Sequence, residues 1–87
     1  MYYFYLFLCA DGSVYSGITT NVSEREAQHN AGTGSKYVRS RGGGSMVYSE
    51  VCADRSSAQK REAVVKRFSK SKKLAMIQHK NTTQNSG

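Results

Sequence analysis

Five side chains in this sequence have the types and spacing to act on a phosphate ester: Tyr5, Tyr15, Arg25, His29 and Glu62. Two phenols brought together beside a phosphate can orient a water molecule or accept its proton. An ordinary tyrosine titrates near pH ~10, so a role as base needs a metal or a cation close by. Strand tyrosines are equally familiar as packing residues. Arg25 and His29 stand four apart, which on a helix is one face. A guanidinium forks onto two phosphate oxygens, and an imidazole moves a proton near neutral pH. A solvated arginine and a structural histidine would show the same spacing. Glu62 lies among Lys60, Arg61, Lys66 and Arg67. It either supports Lys66 through an i,i+4 ion pair or holds a Mg²⁺, an ion that works with few protein ligands. Gly17, two residues after Tyr15, marks a bulge, a close approach by another backbone or a ligand, or simply the end of the strand.

These groups have to be positioned by a short series of elements. Tyr2 to Leu8 is a continuous run of strand formers closed by Ala10-Asp11-Gly12-Ser13, a strong turn signal. Val14 to Ile18 resumes the extended pattern, so residues 2–18 are expected to form a β-hairpin. Tyr5 and Tyr15 then share a face if the turn keeps register. Thr19, Thr20, Asn21 and Ser23 are N-cap types ahead of a polar helix over about residues 22–30, ended by Asn30-Ala31-Gly32. A basic stretch from Lys36 to Arg41 follows and is broken by Gly42-Gly43-Gly44. Met46 to Ser49 reads as a short third strand. Asp54 to Phe68 reads as a helix with Asp54 or Ser56 as its cap and Ala58, Val64, Val65 and Phe68 as its apolar stripe. Ser69 or Ser71 caps a last helix carrying Leu74, Ala75 and Ile77. The expected fold class is α/β (α+β): a small three-stranded antiparallel sheet flanked by helices, in the order β-β-α-(α)-β-α-α. Residues 1–80 are assigned to one domain and 81–87 to a disordered polar tail.

Composition narrows the partners. Thirteen Lys and Arg against six Asp and Glu give a formal charge of +7 on 87 residues, which favours a polyanion. A chain this small has a thin core, and a site near its surface suits a polymer better than an enclosed small molecule. Neither a leader peptide nor a membrane-spanning run is expected, nor a small-molecule cofactor. Cys9 and Cys52 are expected to be free thiols in a reducing, cytoplasmic setting.

Taken together, the segments resemble a known family. Tyr3-Phe4-Tyr5 and Tyr15-Ser16-Gly17 look like degenerate halves of the GIY-YIG signature. Residues 21–30, with Arg25 and His29, resemble that family's following helix. Lys36-Tyr37-Val38-Arg39, Val47-Tyr48-Ser49-Glu50 and Ser57 to Glu62 match its small stand-alone UPF0213 branch, the last stretch carrying the metal-binding glutamate. The likeness covers about residues 2–78. It implies a nuclease of the GIY-YIG superfamily: a metal-dependent endonuclease that hydrolyses phosphodiester bonds with low sequence specificity, DNA favoured over RNA, in DNA repair or recombination. By the same resemblance Glu62 would bind Mg²⁺ or Mn²⁺, Tyr5 and Tyr15 would contact the attacking water, Arg25 would steady the phosphate and His29 would assist proton transfer. Gly17, Lys36, Arg39, Arg41, Lys66 and Lys70 are the expected nucleic-acid contacts. Ile18 and Thr19 stand where repair relatives carry a lysine, and Glu26 stands where the branch usually has leucine. The alternative reading is a nucleic-acid-binding module with this fold and little catalysis, in which Lys36, Arg39, Arg41, Lys70, Lys72 and Lys73 would provide the phosphate contacts.

Overall fold

A computed structural model describes the backbone of residues 1–86 and the side chains as far as Gln78. The elements are β1 (Tyr2–Cys9), β2 (Val14–Thr19), α1 (Val22–Ala31), α2 (Lys36–Ser40), β3 (Gly44–Cys52), α3 (Arg55–Lys66) and α4 (Lys70–Ser86). The backbone of α4 continues into the segment expected to be a polar tail. Gly87 and the side chains beyond Gln78 lie outside the described residues, and the expectation for 81–87 falls on them. No helix among the described residues is long and apolar enough to cross a membrane.

The three strands form one antiparallel sheet in the order β2-β1-β3. Because successive strand side chains alternate faces, β1 serves two cores at once. Tyr5, Phe7 and Cys9 point to one face, where Val38 of α2, Tyr15 and Met46 join them. Phe4 and Leu6 point to the other, against Val65 of α3 and Ile77 of α4. Phe4, Leu6, Phe7, Val38 and Val65 are fully buried, so β1 is the centre of the molecule and helices cover both its faces. That two-sided burial explains why β1 reads as a continuous apolar run, with little alternation.

Local signals set the helix ends. Asn21 caps α1 by accepting the Glu24 N–H, and Gly32, in the left-handed conformation, closes it. Asp54 caps α3 through the Ser57 N–H. Ser69 accepts the Lys72 N–H at the start of α4, settling the choice between Ser69 and Ser71. β3 is longer than the expected Met46–Ser49, because its whole length pairs with β1, with one irregularity between the partners of Leu6 and Phe7. Its first residue has to be glycine. A Cβ on Gly44 would stand 2.0 Å from the Leu8 carbonyl oxygen, at a φ of +156°.

α1 is tied to this edge strand by two side chains one turn apart. Glu26 accepts the Met46 N–H at 2.7 Å, and Asn30 accepts the Gly44 N–H at 2.9 Å. Glu26, which stands where the branch usually has leucine, therefore supplies a cross-link that leucine cannot make. On the other face, Arg61 forks onto Glu50 with two 3.0 Å bonds, and Tyr48 donates to the same carboxylate. Cys9 and Cys52 are free thiols near opposite ends of the sheet: Cys9 pairs with Gly44, and Cys52 with Tyr2.

Candidate active site

The hairpin keeps its register, pairing Tyr5 with Gly17 and Phe7 with Tyr15 across β1 and β2. Tyr5 and Tyr15 therefore share a face, with ring centroids 6.4 Å apart. α1 lowers His29 onto that face. Its ring centroid lies 5.8 Å from Tyr5, 5.4 Å from Tyr15 and 4.8 Å from Phe7. The Tyr5 hydroxyl and His29 Nε2 are 2.8 Å apart, and both residues are 1% exposed.

Gly17 makes this arrangement possible. A Cβ there would stand 2.5 Å from the Tyr5 hydroxyl oxygen and 2.7 Å from its Cζ. Such distances are inside any real contact, so only a residue without a side chain lets Tyr5 lie across β2. Close approach is the reading of this glycine that holds, but what approaches is a side chain, that of Tyr5, where another backbone or a ligand was expected. Gly17 is itself buried. Gly34 plays a similar part on the far side of the imidazole, since a Cβ there would lie 2.7 Å from His29 Nδ1.

Electrostatics favour neutral forms for the buried pair. Burial pushes the Tyr5 phenol well above the usual tyrosine range. Tyr15 and Glu62 push the same way, and Arg25 opposes them. Burial, with Arg25 adding to it, holds His29 below its ordinary 6.5, so the imidazole is neutral and able to take a proton at pH 7. Arg25 thus sits close enough to act on both groups. Its Nε and the Nδ1 of His29 are buried without a hydrogen-bond partner among the described residues.

Glu62 arrives from the opposite layer. β2 is an edge strand, and at its free edge a cavity of about 290 Å³ is lined by Val14, Tyr15 and Ser16 of β2, Tyr37 of α2, Glu62 and Lys66 of α3, and Lys73 of α4. Among the described residues Glu62 makes no salt bridge, so the i,i+4 pair with Lys66 does not form. A half-buried carboxylate left uncommitted beside a tyrosine suits a hard cation bound through one carboxylate, water and substrate oxygen. It does not suit an all-protein cage: no group of three or more His, Cys, Asp and Glu residues able to hold a metal occurs among the described residues.

The site thus gathers Tyr5, Tyr15 and His29 into one contact cluster, sets Arg25 beside it and brings Glu62 to the cavity wall next to Tyr15. The expected nucleic-acid contacts are more dispersed. Lys66 lines the cavity, while Lys36 and Arg39 are exposed on α2. Arg41 binds Asp11 at 3.1 Å and lies over the Tyr37 ring. Lys70 reaches toward the β1–β2 turn at Gly12. Two further residues complete the wall: Tyr37, which was not among the expected site residues, and Lys73, expected as a phosphate contact only under the binding-module alternative. Tyr37 stacks on Tyr15 with centroids 5.7 Å apart. The signal available for it was an aromatic inside a basic stretch; for Lys73 there was none beyond its charge. A second cavity, about 460 Å³, is lined by Tyr3, Thr20, Asn21, Val22, Ser23 and Ser49 and holds none of the five candidates.

Comparison with known proteins shows the family. The pattern of the GIY-YIG catalytic domain matches residues 1–75, most of the chain. The chain belongs to the GIY-YIG family. A UPF0213 protein of Staphylococcus haemolyticus is 44% identical over 79 residues, covering 91% of this chain and 96% of the relative. One from Lactiplantibacillus plantarum is 49% identical over 78 residues, covering 87% and 77%. The solution NMR structure of a UPF0213 protein from Bacillus halodurans superposes with a TM-score of 0.58 at 37% identity, covering 92% of this chain and 86% of that one. The GIY-YIG catalytic domain implies a nuclease-type fold; of the Tyr3-Phe4-Tyr5 and Tyr15-Ser16-Gly17 segments, Tyr15 and Ser16 line the cavity at the β2 edge.

Proposed function

We propose that the protein is a metal-dependent endonuclease that hydrolyses phosphodiester bonds of nucleic acid, DNA in preference to RNA, with low sequence specificity. One observation carries the reading: Glu62, without an ion pair among the described residues, shares a cavity at the sheet edge with Tyr15, and the hydrogen-bonded Tyr5–His29 pair lies directly behind Tyr15. A Mg²⁺ or Mn²⁺ held by Glu62 would supply positive charge at the phosphate oxygens and the leaving oxygen.

The remaining steps belong to the chain. Tyr15, which lines the cavity, orients the attacking water. Tyr5 is too buried to meet bulk solvent and acts with His29 as the proton sink. The water gives its proton to the Tyr15 hydroxyl, which hands its own proton inward to Tyr5, and the Tyr5 phenol in turn passes its proton to neutral His29 Nε2. The water oxygen bonds to phosphorus as the bond to the leaving oxygen breaks, and that oxygen takes a proton from solvent. Arg25 steadies the charge on the phosphate, while Lys66 and Lys73 offset it from the far wall. The deciding experiment is cleavage of labelled single-stranded, duplex and branched DNA, and of RNA, with Mg²⁺, with Mn²⁺ and with chelator. Metal-dependent cutting supports the nuclease. Binding without cutting in every condition would replace it with a nucleic-acid-binding module.

A further inference from the structure

The cavity at the β2 edge has an aromatic wall and a cationic wall, and the reaction proposed above uses the aromatic one only in part. Tyr37 stands on α2, a five-residue helix fixed by its Ser35 cap and by the fully buried Val38. Its neighbour Val38 occupies the core, and Tyr37 itself is 39% exposed. Tyr15 stacks on the Tyr37 ring at an interplanar angle of 28°, so the ring is pre-oriented. The Arg41 guanidinium lies 4.7 Å from the ring centroid and, among the described residues, is otherwise held by an ion pair with Asp11, whose partners are 43% and 39% exposed. Ion pairs that open to solvent are weak, so Arg41 is easily displaced.

Across the cavity, Lys66 and Lys73 make no salt bridge among the described residues, although Glu62 lines the same space. Lys73 is half-buried. Lysines are seldom drawn below the surface without an acceptor, and here the cavity between the walls is where one would sit. A π face on one side and uncommitted cations on the other correspond to the two parts of a nucleotide.

We infer that this cavity is the subsite for one unpaired nucleotide adjoining the bond to be cut. Its base stacks on Tyr37, taking the place of the Arg41 guanidinium, which then covers the outer face of the base. Its phosphate meets Lys66 and Lys73. The substrate is therefore nucleic acid that is single-stranded at that point, since a base within a duplex would first have to be unstacked and unpaired. The inference rests on the nuclease reading for the bond that is cut, but the stack itself is measurable without cleavage.

The test is the affinity of the wild-type protein, in chelator, for a short single-stranded DNA, for an abasic strand of equal length and for the corresponding duplex. Stacking of one base raises affinity by roughly 5- to 150-fold. Wild type and Tyr37→Phe should prefer the strand with bases by about that factor and bind the duplex less well. Tyr37→Ala should no longer distinguish normal from abasic DNA. The comparison of strands on wild-type protein holds even if Tyr37→Ala folds poorly. Equal affinity of wild type for normal and abasic strands would overturn the subsite, as would an undiminished preference in a folded Tyr37→Ala protein. Cutting is scored separately in Mg²⁺. Base-dependent binding without cutting would overturn the nuclease and retain the subsite; cutting without base dependence would do the reverse.

Discussion

Gly17→Ala adds one methyl group and should damage both the fold and the site. The backbone raises no objection, since Gly17 lies in a strand with ordinary φ, and replacing glycine in a strand would otherwise gain about 0.5–1 kcal/mol. The objection is steric. The new Cβ would stand 2.5 Å from the Tyr5 hydroxyl oxygen, 2.7 Å from Cζ and 3.0 Å from Cε2. Tyr5 has nowhere to go, being 1% exposed and hydrogen-bonded to an equally buried His29. Overpacking of this kind costs about 1–3 kcal/mol, so after that gain the net loss should be up to about 2.5 kcal/mol. For a domain this size that lowers the Tm by about 4–8 °C for each kcal/mol. Thermal unfolding followed by circular dichroism, on wild type, Gly17→Ala, Tyr5→Phe and the double variant, makes the cycle. Removing the hydroxyl removes the closest atom of the clash, so Tyr5→Phe should cost less in the Gly17→Ala background than alone, with a coupling of at least ~0.5 kcal/mol. A Gly17→Ala protein that melts at or above wild type, or additive effects in the cycle, would refute the reasoning.

The other predictions concern titration, edge protection and capping. His29 is held below 6.5 in the folded protein, so the stability it contributes is complete above pH 6.5 and is lost as pH falls through the lower folded value. The wild-type Tm should decline on acidification below pH 6.5 more steeply than that of His29→Gln, which still hydrogen-bonds but does not titrate; parallel curves would contradict this. Glu26→Ala leaves the Met46 N–H without its 2.7 Å acceptor, and should cost about 0.5–1.5 kcal/mol. Faster hydrogen exchange at the Met46 amide is the specific sign, and unchanged protection would count against the cross-link. Asp54→Ala removes the cap of α3 and should lower stability by about 1 kcal/mol in urea unfolding, with no change beyond error arguing against the cap.

Much of this architecture was legible because the local signals are strong. The hairpin follows from an apolar run interrupted by Asp11-Gly12, and α1 and α3 begin at Asn21 and Asp54, side chains that satisfy free helix N–H groups. The shared face of Tyr5 and Tyr15 follows from strand parity once the turn is tight. What stayed hidden depends on partners far away in sequence. The full length of β3 is set by pairing with β1, which overrides the breaking tendency of its leading glycine. Glu26 reads as a charge out of place on a helix until Met46 is seen beside it. Tyr37 and Lys73 belong to elements that meet only at the β2 edge, so no spacing rule connects them to Tyr15 or Glu62.

The central claim is that Glu62 and the tyrosines converge to cut a phosphodiester bond. It is tested most directly by the single-turnover rate of cleavage of a labelled single strand in Mg²⁺ by wild type and by Glu62→Gln, which keeps the side chain's size and removes its charge. The account predicts a metal-dependent wild-type rate and a loss of roughly a hundredfold or more in Glu62→Gln, with the Tm little changed. Equal rates in the two proteins, or cutting by wild type that persists in chelator, would contradict it.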